Sequence, residues 1–307
     1  LDFFKIKPHL NINVMKKNQS LENLTSNIIK KIGLVIKKIK PDLVLVHGDT
    51  TSSLAATIAS YYNKVKVAHI EAGLRTNNLY SPWPEEINRS LIAKIAQIHF
   101  APTQIAKKNL EFEGINKNKI LITGNTVIDA LLIASKKVFS SNSIKRNLEK
   151  KFSYIKKNKK IILVTGHRRE NFGKDFANIF KALKHIAEKN KNIIIIYPVH
   201  LNPRVLLPAN KILGRVPNIK LIKPLDYVSF IYLMHKSYLI VTDSGGIQEE
   251  APSLKIPVLV TRKNTERPEA LKIGAAKLVG TNPKIIIKTI NKLLNERKIY
   301  KKMLSLY

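Results

Sequence analysis

The 307-residue sequence contains no cysteine and no long uninterrupted apolar run. Without cysteine the chain forms neither disulfide bonds nor thiolate metal sites, which suits the reducing cytoplasm, where we expect the protein to work. Because no run of about 18 uncharged apolar residues occurs, we expect no membrane-spanning helix and no membrane partner. The first ten residues mix Asp2, Lys5 and Lys7 with apolar residues, which is not typical of a signal peptide.

Acidic residues are also scarce, because 21 Asp and Glu stand against 54 Lys and Arg, for a formal net charge of +33. Such a charge first suggests nucleic acid as a partner. The excess, however, is mostly lysine on the outer faces of predicted helices, and it accompanies frequent Asn and Ile, which share AT-rich codons with Lys. A base-composition bias acting on a solvated surface accounts for this pattern. Aromatic residues do not interleave the basic runs, so we expect no specific nucleic-acid partner.

The length and the order of predicted elements indicate two α/β domains. The composition, 44% hydrophobic and 24% charged, is that of a globular protein. Predicted strands and helices alternate along the whole chain, and the polar run Ser140–Ser143 is the best candidate for a boundary. We therefore expect an N-terminal Rossmann-like domain at 1–143 and a C-terminal one at 144–307. Two doubly wound parallel sheets facing across a cleft, the GT-B type of architecture, is the predicted fold.

Polar side chains follow two predicted parallel strands in the first half of the chain. The apolar run 42–46 ends in His-Gly-Asp49, the run 65–70 ends in Glu71, and residues 51–62 between them have helical spacing. Because parallel strands bring their carboxyl ends to one edge of a sheet, we expect Asp49 and Glu71 to lie close together.

A Pro-Trp-Pro turn then places Glu85 and Glu86 at the start of a predicted helix, where the macrodipole favours an anion. Several carboxylates at one edge can supply both the proton acceptor and the proton donor that chemistry at a carbon acid needs. His47 with Asp49, and His69 with Glu71, leave a metal site open as an alternative. We do not favour it, because no helical His-x-x-x-His pattern supports it and such chemistry can run without metal.

The second half contains a candidate phosphate loop, Asp-Ser244-Gly245-Gly246, between a predicted strand and a helix. Two glycines let backbone N–H groups approach an anion at a helix N-terminus, although a tight strand-to-helix turn is the alternative reading. Glu250, one turn into that helix, is placed to accept hydrogen bonds from ribose hydroxyls. Arg267 is suited to bidentate contacts with phosphate or carboxylate.

A second polar loop, Gly-His167-Arg168-Arg169, also joins a predicted strand to a helix. Its histidine and arginines can neutralise a departing pyrophosphate, with a solvated basic loop as the alternative. His200 ends the next predicted strand and should lie on the same rim, where a structural role and a functional role are equally consistent with the pattern.

Seven segments together resemble one family, the non-hydrolysing UDP-N-acetylglucosamine 2-epimerases of bacteria. They cover nearly the whole chain and read His47-Gly-Asp-Thr-Thr, Glu71-Ala-Gly-Leu-Arg, Ser81-Pro-Trp-Pro-Glu-Glu-Ile-Asn-Arg, Gly124-Asn-Thr-Val-Ile-Asp, Gly166-His-Arg-Arg-Glu-Asn-Phe-Gly, Tyr197-Pro-Val-His-Leu-Asn-Pro and Asp243-Ser-Gly-Gly-Ile-Gln-Glu-Glu-Ala-Pro-Ser. The resemblance implies a cytoplasmic homodimer that needs no metal or nicotinamide. It also implies interconversion of UDP-GlcNAc and UDP-ManNAc, which supplies ManNAc for surface polysaccharides such as enterobacterial common antigen.

The resemblance also implies roles for individual residues. The expected catalytic set is Asp49, Glu71, Glu85 and His167. The residues expected to contact the UDP-sugar are Arg89, Arg168, His200, Ser244, Gly245, Gly246, Glu250 and Arg267. Of these, Arg168 and His200 match the wall of a second, activating UDP-GlcNAc site. The expected reaction removes the C2 proton as UDP leaves C1, and the 2-acetamidoglucal that forms takes UDP back with a proton on the other face.

The sequence departs from the family pattern in three places. Family members begin with a strand and a Gly-Thr-Arg-Pro-Glu loop and end with a further helix, so the resemblance implies that both segments are missing here. Lys255 stands where the family has a glycine, and it should therefore adopt a left-handed conformation after its helix. An inactive UDP-sugar-binding remnant and a GT-B glycosyltransferase that uses a UDP-sugar are the alternative functions.

Overall fold

The computed structural model describes residues 1–16, 19–156 and 158–304. Its contacts divide the chain into two compact units, a first unit of Leu1–Thr126 and a second unit from Val127 onward. The domain boundary that we expected after Ser143 falls inside the helix Asn142–Lys151, which belongs to the second unit. Both units are α/β structures with one parallel sheet each, in agreement with the predicted fold class.

The first unit is a regular alternation of helices and parallel strands. In chain order its elements are α1 (Leu21–Ile39), β1 (Leu43–His47), α2 (Thr51–Tyr62), β2 (Lys66–Ile70), α3 (Glu85–Ile95), β3 (Ile98–Ala101), α4 (Gln104–Phe112) and β4 (Ile120–Ile122). The four strands lie in the order β1-β2-β3-β4, so consecutive strands are neighbours. Every pair is parallel, which brings all the strand-to-helix turns to one edge of the sheet.

Local sequence signals set the helix ends of this unit. The side chain of Ser20 accepts a hydrogen bond from the Asn23 N–H at the start of α1, and Thr50 does the same for Ser53 at the start of α2. These N-caps satisfy backbone donors that would otherwise have no partner in the first turn. The spacing of apolar residues predicts helices at 21–39 and 51–62, and these bounds are confirmed.

Small side chains bring the helices of the first unit close to its sheet. Alanines dominate the buried cluster beneath α3 and α4. Gly73 makes the closest approach, because a Cβ there would lie 2.2 Å from the carbonyl oxygen of Ala106 in α4. The helix therefore packs directly against the backbone that follows Glu71, which holds this turn at the edge of the sheet.

The second unit has a larger sheet that is covered on both faces. In chain order its elements are α5 (Thr126–Ser140), α6 (Asn142–Lys151), β5 (Lys160–Thr165), α7 (Lys174–Lys189), β6 (Ile193–Pro198), α8 (Pro203–Leu213), β7 (Ile219–Ile222), α9 (Tyr227–Lys236), β8 (Ser237–Thr242), α10 (Ile247–Ser253), β9 (Val258–Val260), α11 (Pro268–Lys272), β10 (Ala276–Leu278), α12 (Pro283–Asn295) and α13 (Arg297–Leu304). The strands are parallel and lie in the order β10-β9-β8-β5-β6-β7. From β5 the chain first adds β6 and β7 on one side and then β8, β9 and β10 on the other. The gap between the ends of β5 and β8 is therefore a topological switch point, where ligands of such sheets bind.

The apolar runs of this unit become fully buried central strands. Ile162, Leu163, Ile194 and Ile195 are at most 4% exposed, and helices cover both of their faces. Continuous burial on both faces is why these strands lack the alternation of a half-exposed sheet. The apolar runs predict strands at 161–165, 193–197, 219–222, 238–242 and 257–260, and β5 to β9 confirm these bounds to within one residue at each end.

The helices α8, α11 and α13 and the strand β10 were not predicted. The three-residue strand β10 is too short to show a period, and α8 has Pro203 in its first turn and Pro208 inside it. Proline is accepted in the first turn because that N–H has no helical partner, but it normally disfavours a helix interior. In the part of the chain that the structure describes, no helix is both long enough and apolar enough to cross a membrane.

Lys255 adopts the left-handed conformation expected of it, with φ 58°. Its N–H donates to the carbonyl oxygen of Pro252 at 2.7 Å and so ends α10. A residue with a Cβ costs about 1 kcal/mol in this region, whereas glycine enters it freely.

We predict that Lys255→Gly raises the free energy of unfolding of the second unit by about 1 kcal/mol, because the strain at φ 58° is relieved. The matched control is Lys181→Gly within α7, which should lower it by about 1 kcal/mol, since glycine is unfavourable inside a helix. Urea denaturation followed by circular dichroism measures both changes. A destabilising effect of the same size at both positions would contradict the prediction.

Candidate functional site

The turn after β1 is fixed by the neighbouring strand. Gly48 has φ 69°, and its N–H donates to the carbonyl oxygen of Ile70 at 2.9 Å. The Nε2 of His69 lies 2.8 Å from the carbonyl oxygen of Gly48. Because a carbonyl oxygen only accepts, Nε2 carries the proton of a neutral ring. Two hydrogen bonds from β2 thus fix the residue that precedes Asp49.

Glu71 occupies the corresponding turn after β2, in the left-handed conformation with φ 64°. This region costs a residue with a Cβ about 1–2 kcal/mol, and such strain is concentrated at functional sites. Its Oε2 would lie 3.3 Å from a Cβ built on Gly48, and its Oε1 accepts from Asn125 Nδ2 at 3.2 Å. The carboxylate therefore lies against Gly48, the residue next to Asp49, so the turns that carry Asp49 and Glu71 are adjacent.

Helix α3 contributes a buried arginine to this edge. Nη2 of Arg89 lies 2.5 Å from Asp49 Oδ2, and its Nη1 lies 3.2 Å from Glu86 Oε2. Its side chain is only 3% exposed and pairs with these two carboxylates, while the expected contact of Arg89 with the UDP-sugar stays a prediction. Glu85 opens α3 and lies one turn before Arg89, on the same helix face.

Two histidines lie side by side in the middle of this sheet. His69 and His99 are paired in the register of β2 and β3, and both are fully buried. Burial disfavours the charged ring and lowers the pKa of each from 6.5 to about 4. Both rings are therefore neutral at physiological pH.

In the second unit, a buried aspartate organises the polar turn after β5. Asp243 is fully buried, and its carboxylate accepts from the backbone N–H groups of His167 at 3.0 Å and Arg168 at 2.9 Å. The side chain of Asn171 also donates to it, at 3.2 Å. The sequence motif contains Asp243 but does not indicate a role for it, since only the fold shows that the end of β8 meets the loop after β5.

The switch point opens into a pocket of about 240 Å³. The lining residues are Thr165, Gly166, His167, Pro198, His200, Pro224, Leu225, Phe230, Ser244 and Ile247. The rings of His167 and His200 lie 5.9 Å apart at 26°, so the prediction that both lie on one rim is confirmed. The apolar part of the lining, which includes Leu225 and Phe230, was not predicted, because it comes from the loop after β7 and from α9.

The Ser244–Gly246 loop passes directly over a buried ion pair. A Cβ on Gly245 would lie 2.5 Å from Glu266 Oε1 and 2.7 Å from Arg267 Nη1. Arg267 Nη1 is itself bonded to Glu266 Oε1 at 2.9 Å. Arg267 thus pairs with a carboxylate of its own chain and packs against the loop, while its expected contact with UDP stays a prediction.

Glu250 lies one turn beyond this loop and is mostly buried. Burial raises the pKa of its carboxyl, and the neighbouring Arg267 partly offsets that effect. Gly246 lies near it, because a Cβ on Gly246 would be 3.8 Å from Glu250 Oε2. The structure therefore places His167, Ser244, Gly245, Gly246, Glu250 and Arg267 around the carboxyl ends of β5 and β8.

Two parallel sheets, one with a polar loop at its switch point and the other with carboxylates at its edge, define an α/β protein of the GT-B type. Similarity to known proteins identifies the family within this class. The family model for UDP-N-acetylglucosamine 2-epimerase matches residues 1–307.

Individual relatives agree with the family match. A UDP-N-acetylglucosamine 2-epimerase from Campylobacter jejuni is 51% identical over 100% of this chain and 81% of its own length. The crystal structure of the UDP-GlcNAc 2-epimerase from Neisseria meningitidis bound to UDP-GlcNAc is similar with a TM-score of 0.96 and 49% identity, over 99% of this chain and 81% of that one. The Methanocaldococcus jannaschii enzyme in complex with UDP-GlcNAc and UDP has a TM-score of 0.83 and 38% identity, over 95% and 79%. The chain belongs to the UDP-N-acetylglucosamine 2-epimerase family and is an epimerase.

We predict that the first unit loses stability as the pH falls from about 6.5 to about 4, because His69 and His99 bind protons in the unfolded chain but not in the fold. Each ring contributes up to about 1.4 kcal/mol per pH unit in that window, and nothing above it. Urea titrations read by the fluorescence of Trp83, the single tryptophan, measure the slope. His99→Phe should reduce the slope, whereas a change at the exposed His185 should not; equal slopes in both variants would contradict the assignment.

We predict that Gly245→Ala destabilises the second unit by about 1–3 kcal/mol, since the added methyl group collides with the buried Glu266–Arg267 pair. The neighbouring Gly246→Ala is the matched control, because Gly246 has φ −60° and space for a methyl group. It should be neutral or stabilising by less than about 1 kcal/mol. Urea denaturation followed by circular dichroism distinguishes the two, and equal midpoints would show that the loop yields freely.

Proposed function

We propose that this epimerase interconverts UDP-GlcNAc and UDP-ManNAc by inverting C2 of the sugar. The observation that carries the proposal is the pair of carboxylates, Asp49 and Glu71, held by neighbouring turns in a chain whose relatives carry this activity. Inversion at one carbon needs a proton taken from one face and another delivered to the opposite face. Two carboxylates at one sheet edge supply both functions, with Glu85 as the third member of the set.

The proposed reaction proceeds by elimination and re-addition. A carboxylate takes the C2 proton, the C1–O bond breaks with its electrons going to the β-phosphate, and C1 and C2 become doubly bonded in 2-acetamidoglucal. UDP then attacks C1 again while C2 receives a proton from the other face. No electrons are gained or lost overall, so this route needs no redox cofactor.

The second unit is proposed to bind UDP. Its pocket of about 240 Å³ has the apolar side chains of Leu225 and Phe230, which suit a flat pyrimidine ring. Ser244, Gly245 and Gly246 would contact the phosphates, and Glu250 the ribose hydroxyls. Such an arrangement follows the rule that ligands lie at the switch point of a parallel sheet.

His167 is proposed to assist the departure of UDP. Asp243 holds the backbone of its loop, while the imidazole remains 44% exposed at the rim of the pocket. A proton donor or a cation at this position would stabilise the negative charge that develops on the leaving phosphate. Arg267 would add to that stabilisation through the loop that it supports.

We further propose that the protein works as a homodimer in the cytoplasm and that a second UDP-GlcNAc, held in part by Arg168 and His200, activates it. The ManNAc product would supply surface polysaccharide. These proposals rest on the family resemblance. The position of His200 beside His167 supports the proposal that a second UDP-GlcNAc activates the protein.

The experiment is incubation of the purified protein with UDP-GlcNAc in D2O, followed by NMR. We expect deuterium at C2 of both UDP-GlcNAc and UDP-ManNAc. Asp49→Asn and Glu71→Gln should each lower kcat by roughly 10²–10⁴-fold, the usual contribution of a positioned acid or base. Glu188→Gln is the control, because its exposed pair with Lys184 on α7 contributes little to stability.

Calorimetry with UDP and an assay with an added acceptor sugar distinguish the two alternative functions, an inactive UDP-sugar binder and a glycosyltransferase. Binding of UDP by the folded protein without any exchange at C2 would sink the proposal and leave a UDP-sugar binder. Release of UDP that depends on an added acceptor sugar would instead indicate a glycosyltransferase.

A further inference from the structure

Arg89 links two carboxylates that differ in their surroundings. Asp49 is 24% exposed at the end of β1, whereas the side chain of Glu86 is 3% exposed. The guanidinium lies between them, 2.5 Å from Asp49 Oδ2 and 3.2 Å from Glu86 Oε2. The buried Glu86 therefore fixes the position of the guanidinium, and the guanidinium in turn fixes the carboxylate of the more exposed Asp49.

Glu86 is itself fixed by the backbone. Its Oε1 accepts from the N–H groups of Thr76 at 2.8 Å and Asn77 at 2.9 Å, in the segment that follows β2. A carboxylate with two backbone donors and a guanidinium has little freedom to move. From the same helix, Asn88 Nδ2 donates to the carbonyl oxygen of Asp49 at 2.9 Å. Helix α3 thus holds both the main chain and the side chain of Asp49.

A buried group of one cation and two anions contributes little to the free energy of unfolding, because the cost of desolvating the charges offsets most of their attraction. Its effect is geometric, since each partner restricts the orientation of the next. The side chain of Arg89 is only 3% exposed, so it would have to leave this position to reach a ligand. The geometry therefore favours action on Asp49 over direct contact with the UDP-sugar.

We propose that Glu86 is a positioning residue for epimerisation, which acts through Arg89 to orient the carboxylate of Asp49. The inference rests on the proposed function, in which Asp49 exchanges a proton with C2. It assigns to Glu86 a role in the proton-transfer step and none in binding UDP, since the groups proposed to hold UDP belong to the second unit.

Glu86→Gln is the main test, because it keeps an oxygen for the Thr76 and Asn77 N–H groups but removes the charge that faces Arg89. We expect kcat to fall about 10–100-fold, a moderate part of what a positioned acid or base supplies. KM and the Kd for UDP should stay within about threefold of the unaltered protein. Arg89→Lys, which keeps the charge but cannot span two carboxylates, should give the same pattern.

A second readout separates positioning from a loss of folded protein. The ratio of free 2-acetamidoglucal to epimerised product does not depend on how much of the enzyme is active. If Asp49 is misplaced, protonation of the intermediate slows and the ratio should rise in Glu86→Gln. A fall in kcat that merely follows the folded fraction, with an unchanged ratio, would overturn the proposal, and so would a variant with unaltered kcat.

The first unit offers a closely matched control. Arg75 and Glu113 form an ion pair at 2.6 Å with side-chain exposures of 3% and 24%, the same as those of Arg89 and Asp49. Glu113→Gln should lower stability without changing the product ratio. If the unaltered protein shows no C2 exchange, the proposed function itself fails; exchange in the unaltered protein with a normal Glu86→Gln variant overturns only this inference.

Discussion

Hydrogen bonds that extend the strand ladders into the following turns are the constraint on which both candidate sites depend. In the first unit the N–H of Gly48 donates to Ile70, and in the second the N–H of Asp243 donates to Thr165. Each bond crosses from the end of one strand to the end of its neighbour. The turns are therefore positioned by the sheets themselves, and in the second unit the central strands β5 and β6 are buried on both faces. Side chains on such turns keep their orientation even where solvent reaches them.

Buried arginines also hold the polar turns in place in both units. Arg262 in the second unit is fully buried and pairs with Glu170 and Glu266, each at 2.9 Å. It thereby ties the loop after β5 to the segment that supports Gly245. Arg89 plays the corresponding part in the first unit. In each case a guanidinium joins segments distant in sequence, and its planar fork suits a bridge between two carboxylates.

The sequence predicted most elements because their signals are local. Helices α1 and α7 have strong periodicity, α2 has a clear capping residue in Thr50, and the central strands of the second unit are uninterrupted apolar runs. That the turns of Asp49 and Glu71 are adjacent also followed from a rule about parallel strands and needed no coordinates. The missed elements include α8 and β10, in which proline or short length obscures the local signal. The roles of Asp243, Glu86 and the apolar lining around Phe230 depend on contacts between distant segments, which no local pattern contains.

The sequence by itself therefore determined the α/β class, the family and the turns that bear the chemistry, because periodicity, capping residues and turn motifs act within a few residues of each other. Only the tertiary structure decided how those turns are held. It placed Arg89 between Asp49 and Glu86, brought the Asp243 carboxylate beneath the His167 loop and required Gly245 for space above Arg267. Such decisions arise from packing and desolvation between segments far apart in the chain, and these act only after the sheets have formed.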